Sequence, residues 1–200
     1  MVSVSPMETQ FGTTPSWQAD AGARALPVQV IVLVQPPVSL EDAPLRETLT
    51  AVLAAPVARR VLTLGGARED WLPDGFDLIA QRGADYGQRM AAALADAHAT
   101  AALPMLLIRA DALDVAAGTL ADAARSLVSG EADAVYGPSS DGGFWLLGLR
   151  RPDRSLVVGI PAPGEGGNAG RVLLDRLASA GLRVALAPRL ETAGAPALRF

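Results

Sequence analysis

Leu26–Val34 reads LPVQVIVLV, and the class of fold turns on it. The run is β-branched and almost continuously apolar, whereas a strand with one face in water would alternate apolar and polar residues. It suits a central strand covered on both faces, as in a parallel sheet between helices. Working outward, Arg60–Leu64 (RVLTL), Phe76–Ala80, Pro104–Ile108 (PMLLI) and Arg183–Ala187 repeat the short apolar pattern. Helical signals fall between them. Ser39 and Asp42 form a loose capping box before Pro44, and Leu45, Leu49, Val52 and Leu53 follow at helical spacing. Asp85–His98 stacks Tyr86, Met90 and Leu94 four apart, Ala116–Val128 ends at a capping Gly130, and Asn168–Ser179 ends at Gly181. Ala67–Gly75 reads as a loop, with Trp71 packed on the domain edge. Strands alternating with helices at this spacing define an α/β domain with a mostly parallel sheet.

One segment departs from the alternation. GPSSDGGFWLLGL, Gly137–Leu149, carries an Asp-Gly-Gly turn signal between the run Asp133–Gly137 and the apolar run Phe144–Leu149. Aspartate and glycine tolerate the positive φ of tight turns, so an antiparallel hairpin is expected here. Trp145 and Tyr136 beside the turn belong either to the core or to the floor of a pocket.

Composition narrows the chemistry. The 200 residues contain no cysteine, which removes disulfides, thiolate nucleophiles and cysteine metal sites. All seventeen basic residues are arginine, so neither a lysine nucleophile nor a P-loop lysine is available. The net charge is −4 with no basic run, which argues against nucleic acid as a partner. Residues 1–25 are rich in Ser, Thr, Pro and Gly and lack a signal-peptide pattern; they are expected to form a disordered leader before a single domain at 26–200. No apolar stretch is long enough for a membrane span, and a cytoplasmic location is expected.

In open α/β sheets ligands bind beyond the carboxyl ends of the strands. Asp111 follows PMLLI closely, Gln81 and Arg82 follow the third strand, and Gln35 follows the first. Asp111 either caps the next turn or ligates a hard cation. Arg89, on the first turn of its helix, is either a surface arginine or a phosphate contact. Asp114 reads as a cap or solvent-facing residue. His98, the sole histidine, reads as half-buried near a helix end rather than as a catalytic base. No serine-histidine or cysteine-histidine set exists.

Taken together, QRGADYGQRM (Gln81–Met90), LLIRAD (Leu106–Asp111) and GPSSDGGFWLLGL resemble a bacterial family of GT-A-like proteins. That family is related to nucleotide-diphospho-sugar transferases and to phospholactate guanylyltransferases. The resemblance runs from about Val28 to Leu198. It implies a single three-layer α/β/α Rossmann-like domain that binds a nucleotide or nucleotide-sugar at the strand ends, with Mg²⁺ or Mn²⁺, and transfers to a small-molecule acceptor. It assigns Asp111 to the metal and diphosphate, Gln81, Gly87 and Arg89 to the nucleotide, and Asp141, Gly142 and Gly143 to an acidic Asp-Gly-Gly beside the donor, with Asp141 the candidate catalytic residue.

The chain also departs from the family pattern. The basic loop expected after the first strand reads QPPVSLEDAPLR, with no cation before Arg46. Gly-x-Asp-x-Pro has become Arg109-Ala110-Asp111-Ala112-Leu113, Ser140 replaces an acid, APGEGG replaces a Ser-Thr or Gly-Thr motif, and Asp-x-Asp-Thr has become Glu191-Thr192-Ala193-Gly194. Transfer from a nucleotide diphosphate needs the leaving phosphate neutralised by metal or fixed cations. Arg109 places a cation where the family has glycine and is a candidate compensation. Three functions follow as expectations: a metal-dependent glycosyl transferase, a degenerate relative that only binds, and a nucleotidyltransferase sharing the same site.

Overall fold

The computed structural model describes residues 25–34, 43–65, 72–163 and 168–193. Within them run β1 (Leu26–Leu33), α1 (Ala43–Ala54), β2 (Val57–Leu64), β3 (Asp77–Ala80), α2 (Tyr86–Thr100) and β4 (Met105–Arg109). Then follow α3 (Ala117–Ser129), β5 (Ala134–Pro138), β6 (Phe144–Leu149), a short 3-10 turn (Arg154–Leu156), α4 (Ala169–Ser179) and β7 (Val184–Leu186). The strands form one sheet in the order β3-β2-β1-β4-β6-β5-β7. β1 pairs in parallel with both β2 and β4, β2 with β3, and β5 with β7, while β6 runs antiparallel between β4 and β5. The single α/β domain with a mostly parallel sheet and an antiparallel hairpin is therefore as the sequence implies.

The continuous apolar run of β1 is explained by its two covered faces. Val28, Val30 and Val32 join one core with Leu45, Leu49 and Val52 of α1 and Leu120, Ala124 and Leu127 of α3. Ile31 and Leu33 point the other way, into a core with Tyr86, Met90 and Leu94 of α2 and Leu173 and Leu177 of α4. Alternation at period two thus feeds two cores from one strand, giving three layers. Gln29 interrupts the apolar run yet is fully buried; its amide nitrogen donates to Ala101 O at 2.8 Å and its carbonyl accepts from Arg59 at 2.8 Å. The polar group is satisfied, so its burial is tolerated.

Several local readings need adjustment. β2 starts at Val57, three residues before Arg60, because Val57 is already paired with Leu26. His98 is exposed rather than half-buried, the stripe of α2 having turned to Ala97 at that level. Asp114 is exposed and adopts a φ of 58°, a left-handed conformation that aspartate accepts more readily than most residues. The proposed capping pair Ser39 and Asp42, Gln35 and Trp71 lie outside the described residues. No helix among the described residues is long and apolar enough to cross a membrane.

Candidate functional site at the carboxyl edge of the sheet

Four parallel strands, β3, β2, β1 and β4, end at one edge of the sheet. Strand order reverses between β1 and β4, since β2 and β3 lie on one side of β1 and β4 on the other. Diverging loops at such a switch point leave a crevice. Because β6 is antiparallel to β4, its first residue, Phe144, lies at this same edge, and so does the turn that precedes it. The hairpin turn and the end of β4 are thereby brought together. A third segment passes between them. Leu190 bridges to Ser139, Thr192 bridges to Ala112, and the Ala193 N–H donates to Asp111 O at 2.8 Å.

Arg109 is the centre of the assembly. Its side chain is only 3% exposed, and it grips two carboxylates. Nε and Nη2 donate to the two oxygens of Asp111 at 2.8 and 2.6 Å, and Nη1 donates to Asp141 Oδ2 at 2.8 Å. Asp141 Oδ1 in turn accepts from Ser139 Oγ and, at 2.9 Å, from the Gly143 N–H. Burial alone would raise the Asp141 pKa, but the hydrogen bonds from Ser139 and Arg109 and the arginine's charge outweigh it, holding the group below the ordinary carboxylate value. Burial likewise opposes the charge on Arg109, and the hydrogen bonds and charge of Asp111, with the bond to Asp141, more than offset it.

The Asp-Gly-Gly turn is built to hold this cluster. Gly142 takes a φ of 79°, which the turn requires and glycine allows. A Cβ on Gly143 would lie 3.0 Å from Asp141 Oδ1 and 3.3 Å from Arg109 Nη1, so the glycine lets the ion cluster sit against the backbone. Tyr136 Oη donates to Gly143 O at 3.0 Å from below. Trp145 is fully buried in the core, and its Nε1 donates to Pro188 O at 2.9 Å. The choice left open by the sequence resolves accordingly: Trp145 is core, Tyr136 supports the turn, and the turn itself carries the carboxylate that Arg109 holds.

The start of α2 forms the second wall. Asp85 caps the helix by accepting from the Gln88 N–H at 2.7 Å, and Gln88 Oε1 accepts from the Ala84 N–H at 3.0 Å. Gln81 spends its amide nitrogen on Val34 O at 2.7 Å, tying the end of β3 to the end of β1 across β2. Gly87 faces protein: a Cβ there would lie 2.6 Å from both Gly159 N and Val157 O. Arg89 is half-buried, and its buried Nε has no hydrogen-bond partner among the described residues. Tyr86 Oη is in the same condition. Burial raises the Tyr86 pKa, and the charges of Arg109, Asp111, Asp141 and Arg89 all act on it, so the hydroxyl stands beside the ion cluster in its protonated form.

Of the residues singled out in the sequence, the structure therefore gathers Arg109, Asp111, Asp141 and Gly143 into one cluster. It sets Arg89 at the adjoining helix start and gives Gln81 and Gly87 bonding and packing within the chain. Sequence reasoning assigned Tyr86 only to the apolar stripe and did not single out Ser139 or Gly170. Gly170 lets α4 approach the turn: its N–H donates to Gly142 O at 3.1 Å, and a Cβ would lie 2.6 Å from Gly143 O. A serine two residues before a turn aspartate was the one available signal for Ser139.

Among the described residues, the carboxylates available for the divalent cation that the resemblance implies are already paired with Arg109, and they fit that ion poorly. All four oxygens of Asp111 and Asp141 already accept hydrogen bonds from the chain. Among the described residues no group of three His, Asp or Glu side chains is placed to hold a metal.

One sheet between two helix layers, with a polar cluster at its switch point, is a three-layer α/β/α fold of the GT-A-like kind. The chain belongs to the family described as "Uncharacterized protein conserved in bacteria (DUF2064)", whose sequence profile matches residues 48–162. Among solved structures it is similar to a candidate nucleotide-diphospho-sugar transferase from Desulfovibrio desulfuricans G20, with a TM-score of 0.70 and 18% identity over 84% of this chain and 82% of that one. It is also similar to Rv0371c of Mycobacterium tuberculosis H37Rv in complex with manganese, with a TM-score of 0.53 and 19% identity over 84% and 90%. A further similarity is to the mannosyltransferase PcManGT of Pyrobaculum calidifontis in complex with GDP-Man and Mn²⁺, with a TM-score of 0.54 and 20% identity over 85% of this chain and 57% of that one. At these identities the likeness is one of fold. No curated protein matches the chain significantly.

Proposed function

We propose that the chain holds the nucleotide part of an activated donor, of the nucleotide-sugar kind, at the β1–β4 switch point and transfers from it to a small-molecule acceptor. The observation that carries this reading is the polar centre at that edge: a buried arginine between two carboxylates, walled by a helix start that offers Tyr86 Oη and Arg89 Nε, which have no hydrogen-bond partner among the described residues. Buried polar groups left unpaired in the free protein are groups a ligand can satisfy. In this reading Arg89 at the head of α2 meets a phosphate, where the helix dipole also favours negative charge. The exposed side of Asp111 and the Asp141–Gly143 turn face the sugar or the acceptor. The neighbour in complex with GDP-Man and Mn²⁺ supports the class of ligand.

A second reading is favoured by a specific observation. Asp141 accepts three hydrogen bonds and is held below the ordinary carboxylate value, which suits a structural anchor better than a general base. A chain that binds the nucleotide without turnover fits this. A nucleotidyltransferase would use the same residues and differ in attacking phosphorus rather than the sugar carbon.

Thermal unfolding with UDP, GDP, ADP and their sugars tests binding. A ligand at a hundred times its dissociation constant stabilises by about 2.7 kcal/mol, which in a chain of this size shifts the midpoint by roughly 5–10 °C. Shifts that Arg89→Ala reduces support the reading, and product formation from the binding donor then separates transferase from binding protein. A flat response across the panel rejects both.

A further inference from the structure

We infer that Arg109 is the resident cation of this site, so that the chain takes its nucleotide ligand without a divalent metal. The nucleotide half rests on the function proposed above; the cation half stands on geometry alone. The guanidinium meets Asp111 through two parallel bonds and Asp141 through a third, a planar fork matched to carboxylate oxygens. The remaining Asp141 oxygen is taken by Ser139 and the Gly143 N–H. A hard divalent ion bound by one or two carboxylates relies on their negative charge, and here both carboxylates already share the charge of the guanidinium between them. An ion drawn to these carboxylates would meet the like charge of the guanidinium, and displacing that group, which is 3% exposed, would leave a buried positive charge without its partners.

The arginine is also held in place from other directions. Its backbone is paired to Leu33 of β1, Nη1 lies 3.5 Å from Phe144 O, and Gly143 leaves room for it against the hairpin. A guanidinium keeps its proton at any physiological pH, so this cation is permanent, whereas a metal site fills and empties. One guanidinium and two carboxylates, from the end of β4, the residues just after it and the hairpin turn, are thus joined before any ligand arrives.

The test uses the full chain. Mn²⁺ binding is followed by electron paramagnetic resonance, and the UDP and GDP thermal shifts are compared in EDTA and in MnCl₂. The proposal expects Mn²⁺ to stay free to millimolar concentration and the nucleotide shifts to be equal in both buffers. Arg109→Gln, which removes the charge and leaves a shorter polar side chain, should bind Mn²⁺ at least tenfold more tightly than the parent, and Asp111→Asn in the same chain should abolish that gain. Submillimolar Mn²⁺ binding by the parent that Asp111→Asn removes would overturn the proposal, as would a nucleotide shift that needs Mn²⁺. So would an Arg109→Gln chain that folds and gains no Mn²⁺ affinity. If Arg109→Gln does not fold, the parent titration alone decides. If no nucleotide shifts either buffer, the proposed function fails, and the Mn²⁺ titrations still decide the cation.

Discussion

Arg109 has two partners of unequal reach, and the difference predicts how the cluster fails. The Asp111 side chain is 40% exposed and among the described residues bonds only the arginine, while Asp141 is 16% exposed and joins the arginine to the hairpin turn. Asp141→Ala should therefore cost about 3 kcal/mol, the range for breaking a buried ion pair from one side. Asp111→Ala should cost clearly less, since water can reach that flank. Urea unfolding of the two variants measures the gap, and equal losses would contradict the assignment of Asp141 as anchor. Tyr86→Phe separates binding from stability. Deleting a buried hydroxyl that has no partner among the described residues should leave stability unchanged or slightly raised, while nucleotide affinity falls if that hydroxyl meets the ligand. Arg109 and Asp111 were legible as chemistry-bearing residues because they stand at the end of an apolar strand. Their pairing was not, because two residues so close in a strand-to-turn segment can point together or apart, and only the backbone path decides.

At the scale of elements, close approach explains which glycines matter. Gly87→Ala forces a Cβ against backbone of the 157–160 turn, and Gly170→Ala forces one against the hairpin backbone and Tyr136 Oη. Each should cost about 1–3 kcal/mol by overpacking. Gly118 in α3 has nothing within 4 Å of the added Cβ, so Gly118→Ala should instead stabilise by up to about 1 kcal/mol. Thermal or urea unfolding of the three variants should give that order. Gly87 shows where motif reasoning and structure diverge: the resemblance places it at the nucleotide, and the atoms it makes room for are the chain's own. The hairpin was readable from Asp141-Gly142, but its insertion beside β4 was not, since strand order depends on contacts far apart in sequence. That insertion is what carries Asp141 to Arg109. The strand pair β5–β7 has its own acid sensitivity. The Arg183 hydrogen bonds to Asp133, helped by Arg150, hold that carboxyl down at about 2. A depressed folded value means the stabilisation is complete above the unfolded value near 4 and is lost as pH falls toward 2. The same sign applies to Asp141. Asp133→Asn should flatten the fall in stability between about pH 4 and pH 2, and an unchanged profile would contradict the pairing.

Across the whole molecule, the sheet does two jobs with one set of strands. Its interior residues separate into two cores, which the continuous apolar pattern of β1 already announced, and its carboxyl edge collects the polar groups that the cores exclude. Fold class was legible because it depends on periodicity and strand–helix alternation, which are local. The site was only partly legible because it is assembled from the end of β4, the hairpin turn, the start of α2 and the 190–193 segment, all distant along the chain. The central claim is that this edge is where a nucleotide donor binds. Amide hydrogen exchange of the full chain, with and without saturating UDP-glucose or GDP-mannose, tests it most directly. The account predicts added protection at residues 81–89, 109–114 and 139–143, with the outer helices α1 and α3 unaffected. Protection confined to other segments, or none with any nucleotide-sugar, would contradict it.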